Sequence, residues 1–158
     1  MICQDIHAFS AMMPASGGIA GLDLGDKTIG VAMSDLRRMV ASPIETIRRE
    51  KFTLDAAKLL ALLSARGAGG IIIGLPLNMD GSEGPRVQST RAFARNLEKL
   101  TPLPIGFWDE RLSTEAAQRA MLEADLSRKR RAERVDNVAA SYILQGVLDR
   151  LQNLAQGA

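Results

Sequence analysis

Four carboxylates stand where burial is expected, and they narrow the chemistry open to this chain. Asp23 interrupts the apolar run Ile19-Ala20-Gly21-Leu22-Asp23-Leu24. An isolated ionised carboxylate in such surroundings is costly unless it is paired, protonated or bound to a cation. Asp109-Glu110 closes a second apolar run, Ile105-Gly106-Phe107-Trp108, where strand alternation lets only one of the two face a given side. Asp136 shares helical spacing with Ala140, Ile143 and Val147, which sets it on the apolar face of the last helix. Plainer roles stand beside these. Asp23 can cap the Gly25-Asp26-Lys27 turn, Asp136 can N-cap its helix with Arg134 as counter-charge, and the pair can be surface charge ahead of a helix. If the acids instead converge on one rim of a sheet, their oxygens select hard cations, Mg²⁺ or Mn²⁺, over zinc or copper. Two such ions about 4 Å apart activate a water and stabilise the leaving oxygen in phosphodiester cleavage, with no need of histidine or cysteine.

Composition points the same way. Among 158 residues there is one His and one Cys, His7 and Cys3, both near the N-terminus. That excludes a Cys/His zinc site and leaves any Ser-His-Asp or Cys-His device dependent on His7. A lone cysteine forms no internal bridge, and the reading is a reducing, cytoplasmic setting. Net charge is +2, from 20 Lys+Arg against 18 Asp+Glu, so basicity counts only where it is local. No apolar run reaches membrane-spanning length, and the stretch before Gly17 lacks the plan of a signal peptide.

Elements must then bring the acids together. Two β-like runs, Ile19 to Leu24 and Thr28 to Met33, flank Gly25-Asp26-Lys27 as a hairpin, and Ile44 to Arg48 alternates as a third, half-exposed strand after a Ser42-Pro43 turn. A helix follows, with Thr53 as N-cap, Leu59, Leu62 and Leu63 on one face, and Gly67 beyond its end. Ile71-Ile72-Ile73-Gly74-Leu75 suits a parallel core strand buried on both faces. A loop over 76–81 leads to a helix opened by Pro85, with Val87, Thr90, Ala94 and Leu97 inward, then to the strand that ends at Asp109. A helix from about Ser113 to Glu123 carries Glu115 in its first turn, and a final helix runs from near Asp136 through Leu151. Between them the basic run Arg128-Lys129-Arg130-Arg131-Ala132-Glu133-Arg134 reads as a solvated loop, placing phosphate-binding charge close to the acids. The expected class is α/β: a mixed sheet of three antiparallel strands followed by parallel ones, flanked by helices. Residues 1–17 read as a flexible extension outside the fold, 18–153 as a single domain, and 154–158 as a tail.

Taken together, these residues resemble the YqgF family, also called RuvX, of pre-16S rRNA nucleases and Holliday junction resolvase-like proteins. The resemblance runs from about Gly21 to Leu148. It is carried by Gly21-Leu22-Asp23-Leu24-Gly25 with Lys27 and Ile29-Gly30-Val31-Ala32, and by Gly74-Leu75-Pro76-Leu77-Asn78-Met79-Asp80-Gly81. Asp109-Glu110-Arg111-Leu112-Ser113-Thr114, and Val135-Asp136 with Ala139-Ala140 and Ile143-Leu144, complete it in the same order. It implies a ribonuclease H-like fold with a five-stranded sheet, and an acidic site for one or two Mg²⁺ or Mn²⁺ ions made by Asp23, Asp109, Glu110 and Asp136. Asp23, Glu110 and Asp136 would be catalytic, and Glu110 is the favoured ligand of its pair. By the same resemblance Lys27, Thr28, Asn78 and Arg111 line the site, while Arg86, Arg128, Lys129, Arg130 and Arg131 hold the phosphate backbone.

The implied activity is endonucleolytic processing of the 5′ end of precursor 16S rRNA by a monomer or weak homodimer, with resolution of branched DNA as the alternative. Two other classes compete. Asp23-Leu24-Gly25 with Lys27-Thr28 also resembles the first phosphate-binding hairpin of sugar kinases and actin-like ATPases, but those bind nucleotide between two domains of this kind. A non-catalytic RNA-binding module would depend on the basic run and not on Asp23 or Asp136. Scarce aromatics, Phe9, Phe52, Phe93, Phe107, Trp108 and Tyr142, argue against a broad base-stacking platform and for recognition by backbone and shape.

Overall fold

The computed structural model describes residues 1–112 and 128–155, except for the side chains of residues 128–137. Five strands form one sheet: β1 (Gly18–Leu24), β2 (Thr28–Ser34), β3 (Ala41–Arg48), β4 (Ala68–Leu75) and β5 (Ile105–Asp109). Their order across the sheet is β3-β2-β1-β4-β5. The first three pair antiparallel, and β1–β4 and β4–β5 pair parallel. The mixed sheet matches the expectation, and its parallel half puts the C-terminal ends of β1, β4 and β5 on one edge.

Helices α2 (Phe52–Ala65) and α3 (Pro85–Glu98) cover one face, and α1 (Ile6–Met12) and α4 (Arg128–Ala155) cover the other. Strand alternation divides β4 between the two cores. Ile71 and Ile73 pack with Leu59, Leu63, Ala94 and Leu97, whereas Ile72 packs with Phe9, Ile143 and Leu144. All three isoleucines are fully buried, as a central strand with two dry faces requires. The α3 face expected from the spacing is also buried, with Val87, Thr90, Ala94 and Leu97 inward and Pro85 in the first turn.

Several expectations need correction. Residues 1–17 are not left outside the fold: α1 forms, Phe9 is fully buried, and Cys3 is buried against the sheet. The Cys3 N–H donates to the Ile105 carbonyl at 2.7 Å and the Ile105 N–H to the Met1 carbonyl at 2.8 Å, so the N-terminus covers the free edge of β5. The Phe9 ring occupies space that Gly70 and Gly106 leave open; a Cβ at Gly70 would come within 2.8 Å of it. Short apolar stretches give no periodic signal, which hides such packing from the sequence. Ser42 and Pro43 lie inside β3, where an edge strand with a register shift tolerates a residue without an N–H. Helix α2 starts one residue before Thr53, after Lys51. The helix expected from Ser113 to Glu123 lies outside the described residues.

The largest correction concerns the last helix. Over the described residues it spans Arg128–Ala155, so the basic run is helical backbone and Asp136 is an interior residue of α4, not its N-cap. Arg, Lys, Ala and Glu are strong helix formers, and this run contains no Gly or Pro to stop the helix.

Candidate active site

The site lies on the edge where β1, β4 and β5 end, and strand register brings it together. Leu22 pairs with Ile73 and Gly74 with Trp108, so Asp23, Gly74 and Trp108 fall in one row across the three parallel strands. Asp23 has the same strand parity as Gly21, whose missing Cβ makes room for Leu144 and the Ala140 carbonyl of α4. Asp23 therefore stands on the α4 face of the sheet, half-buried.

Glu110 reaches the same place from the single 3₁₀ turn Glu110–Leu112 that follows β5. Its side chain lies over Gly74. A Cβ there would come within 2.7 Å of Glu110 Oε1 and 2.6 Å of Ile143 Cδ1, so no residue but glycine fits without displacing one of them. The Asp23 carboxyl lies close enough to that of Glu110 to act on its ionisation. Burial raises the Glu110 pKa above the ordinary glutamate value, and the neighbouring Asp109 charge adds to this, while the Asp23 side chain and the Arg86 charge pull the other way.

Asp109, one residue earlier, is in a different situation. Arg111 holds it with a backbone N–H at 2.9 Å and a guanidinium that donates from Nε and Nη2 at 3.0 and 2.6 Å. Those bonds hold the Asp109 carboxyl below the ordinary aspartate value. Adjacent carboxylates in one motif thus have opposite environments: one is neutralised by arginine, the other is pressed against a second acid.

Arg111 also ties down the loop between β4 and α3, donating from Nη1 to the Met79 carbonyl at 3.2 Å. Asn78 shapes that loop through Ser82, with Nδ2 to Oγ at 3.0 Å and backbone N to O at 3.0 Å. Gly81, at φ 86°, makes its left-handed bend. Lys27 and Thr28 sit on the β1–β2 turn, closed by the Gly25 N–H donating to the Thr28 carbonyl at 2.8 Å. Arg86, on the first turn of α3, lies near enough to Glu110 to act on its charge, and its Nη2 approaches the Leu24 carbonyl at 3.5 Å.

Two site residues carry little signal in the sequence. Gly74 reads as one more residue of an apolar strand, and Arg49 lies just past the end of a half-exposed one. Arg49 turns back to the β1–β2 hairpin, donating from Nη1 to the Gly25 carbonyl at 2.7 Å. The Asp136 backbone lies in α4 seven residues ahead of Ile143, but its side chain, like those of Arg128, Lys129, Arg130 and Arg131, lies outside the described residues. Among the described residues no three metal-ligating side chains cluster. His7 is exposed on α1 and Cys3 is buried beside β5, so neither joins the acids. No helix among the described residues is long and apolar enough to cross a membrane.

Residues 17–150 match the family described as RuvX: Holliday junction resolvase. The chain is 68% identical over 156 residues, 99% of its length and 98% of the relative's, to the "Putative pre-16S rRNA nuclease" of Rhodobacter capsulatus. It is 66% identical over 154 residues, 98% of its length and 100% of the relative's, to the protein of the same name from Ruegeria pomeroyi. Two solved structures are similar in fold at 12% sequence identity. They are T. thermophilus RuvC in complex with Holliday junction substrate (TM-score 0.51, covering 85% of this chain and 96% of that one) and the fowlpox virus Holliday junction resolvase (TM-score 0.53, 84% and 99%). The fold is therefore the ribonuclease H-like one.

Proposed function

The chain belongs to the RuvX family, and from that premise we propose that it is a metal-dependent endonuclease that hydrolyses phosphodiester bonds at the 5′ end of precursor 16S rRNA in the cytoplasm, as a monomer or weak homodimer. The observation that carries this reading is the Glu110 carboxyl seated over Gly74 beside Asp23. Two carboxyl groups this close ionise together readily only when a positive charge sits beside them. The donor set is all oxygen, which fits Mg²⁺ or Mn²⁺. Asp23 and Glu110 would hold the ion, with Asp136 completing the set from α4. When bound, it would supply an activated water and charge stabilisation at the leaving oxygen.

The other residues have distinct tasks. Asp109 fixes Arg111, which in turn holds the 76–82 loop against the site. Arg86 offsets negative charge beside Glu110. Lys27, Thr28 and Asn78 would line the approach of the strand, and Arg128, Lys129, Arg130 and Arg131 would hold backbone phosphates from the first turn of α4. Such contacts orient a nucleic acid without reading its sequence.

The test is incubation of the purified chain with Mg²⁺ or Mn²⁺ and either a pre-16S leader RNA or a four-way DNA junction, with Asp23→Asn in parallel. Metal-dependent products from the leader, absent with Asp23→Asn, are expected. Cleavage of the junction alone would make branched DNA the substrate, the reading that the family description favours. Failure to cut either under several metals would leave a binding module.

A further inference from the structure

Beside the acids, on the opposite face of the sheet end, lies a cleft of about 170 Å³ whose walls include Gly25, Arg49, Arg86 and Ser89. Two guanidinium groups reach it from different elements. Arg49 follows β3, and its position is fixed twice, by the Gly25 carbonyl at 2.7 Å and by the Phe93 ring, whose centroid lies 5.8 Å from the guanidinium carbon. Phe93 is itself held edge-on by Phe52, with centroids 5.3 Å apart. Arg86 comes from α3. Among the described residues neither arginine is within salt-bridge distance of a carboxylate, in contrast to Arg91 and Arg111, which are. The carboxylate lining the cleft is Asp26, exposed at the tip of the turn.

A guanidinium carries five donors, and among the described residues the hydrogen bonds of Arg49 use one of them. Two arginines around one concavity, against the single exposed carboxylate of Asp26, concentrate positive charge there, which an anion with several acceptor oxygens can satisfy. Arg86 also acts on Glu110, so the cleft and the acids are neighbours across the end of β1. A nucleic-acid strand crossing that edge carries a phosphate at every nucleotide, so a strand held at the acids brings neighbouring phosphates with it.

Building on the proposed nuclease function, we propose that Arg49 and Arg86 form a phosphate subsite that holds the backbone phosphate next to the one cut. Arg49 is a positioning residue here, and the interaction is blind to base identity.

The experiment measures binding of a labelled pre-16S leader RNA to the full chain, by anisotropy in chelator across a salt series, for the unsubstituted protein, Arg49→Met, Arg49→Lys and Arg86→Gln. Arg49→Met is expected to weaken binding about tenfold at low salt and to lower the slope of log affinity against log salt by about one. Arg49→Lys restores the slope, which a purely structural role for Arg49 would not explain. Arg86→Gln lowers it independently, and thermal melts confirm folding of each variant. Unchanged affinity and slope in Arg49→Met and Arg86→Gln, with Asp23-dependent cleavage intact, overturns the subsite and leaves the nuclease standing. Tight binding of inorganic phosphate alone, with RNA affinity unmoved by either substitution, makes the cleft a free-anion site and also overturns the proposal. No binding of RNA by the unsubstituted protein overturns the subsite and the function it rests on together.

Discussion

The two ends of the sheet are built on opposite principles. At the end where β1 begins, polar groups satisfy one another. Ser34 Oγ accepts from the buried Ile19 N–H at 2.8 Å and donates to the Asp35 carbonyl at 2.9 Å. Arg38, in the left-handed region at φ 58°, donates to the Gly17 and Pro14 carbonyls at 2.9 and 2.7 Å. Asp35 takes the Met39 and Val40 N–H groups. At the end where β1 finishes, like charges are pushed together in Asp23 and Glu110, and Arg49 and Arg86 have no carboxylate within ion-pair distance among the described residues. One end is closed by its own chain, whereas the other keeps charge that a cation and an anionic backbone would balance. The first end contributes to stability, and the proposed chemistry would draw on the second.

The widest gap between the ends should open with Asp23→Asn. We expect kcat for RNA cleavage to fall on the order of 10²–10³-fold, the scale for losing a charge-stabilising group, while thermal stability without divalent cations holds or rises because a repulsion is gone. A large drop in melting temperature would mean that Asp23 is structural, like the residues at the other end. Gly74→Ala comes next and blurs the contrast. Its Cβ would collide with Glu110 and Ile143, so overpacking of about 1–3 kcal/mol should appear in urea melts together with an activity loss of about 10²-fold from the displaced carboxylate. Activity that survives at full level would show that the position of Glu110 is not required.

Legibility in the sequence divides along similar lines. The sheet is legible because period-two runs and Gly-Asp-Lys punctuation report local geometry, and Ile71-Ile72-Ile73 announces its place at the centre. The candidate acids stand out because a carboxylate among Ile, Leu and Gly is conspicuous. Which of Asp109 and Glu110 faces Asp23 is not legible, because Glu110 lies in a turn past the strand end, where alternation no longer governs direction. Nor is the role of Gly74, which depends on a side chain 36 positions away, or of Arg49, whose partners Gly25 and Phe93 come from separate elements. The N-terminal segment misleads for the same reason, since Phe9 is buried by contacts with β4 and β5.

A smaller effect belongs to the closed end. Ser34→Ala leaves the buried Ile19 N–H without its 2.8 Å acceptor, which should cost about 1–3 kcal/mol in urea melts with kcat unchanged. A comparable drop in kcat would tie the two ends together through β1 and break the division argued above.

The smallest effect, and the sharpest comparison, is between neighbours. Glu110 has its pKa raised by burial from an ordinary value near 4.5, and Asp109 has its pKa lowered by Arg111 from one near 3.8. Between its unfolded and folded pKa values a raised acid binds more protons folded than unfolded. Glu110 therefore supports the fold fully below about 4.5, and that contribution is lost as pH rises through its higher native pKa. A lowered acid does the reverse: the Asp109 contribution is present above about 3.8 and is lost as pH falls through its native pKa. Urea melts from pH 3 to 8 in chelator should show Glu110→Gln gaining on the unsubstituted protein as pH rises above about 4.5, and Asp109→Asn falling behind it as pH rises through the acid range below that. Adding Mg²⁺ at neutral pH should stabilise the unsubstituted protein more than Glu110→Gln, because a bound cation removes the penalty that burial places on the ionised carboxylate. If both substitutions instead follow one pH curve, the opposite environments of these adjacent acids do not hold in solution, and the pairing of Glu110 with Asp23 loses its electrostatic basis.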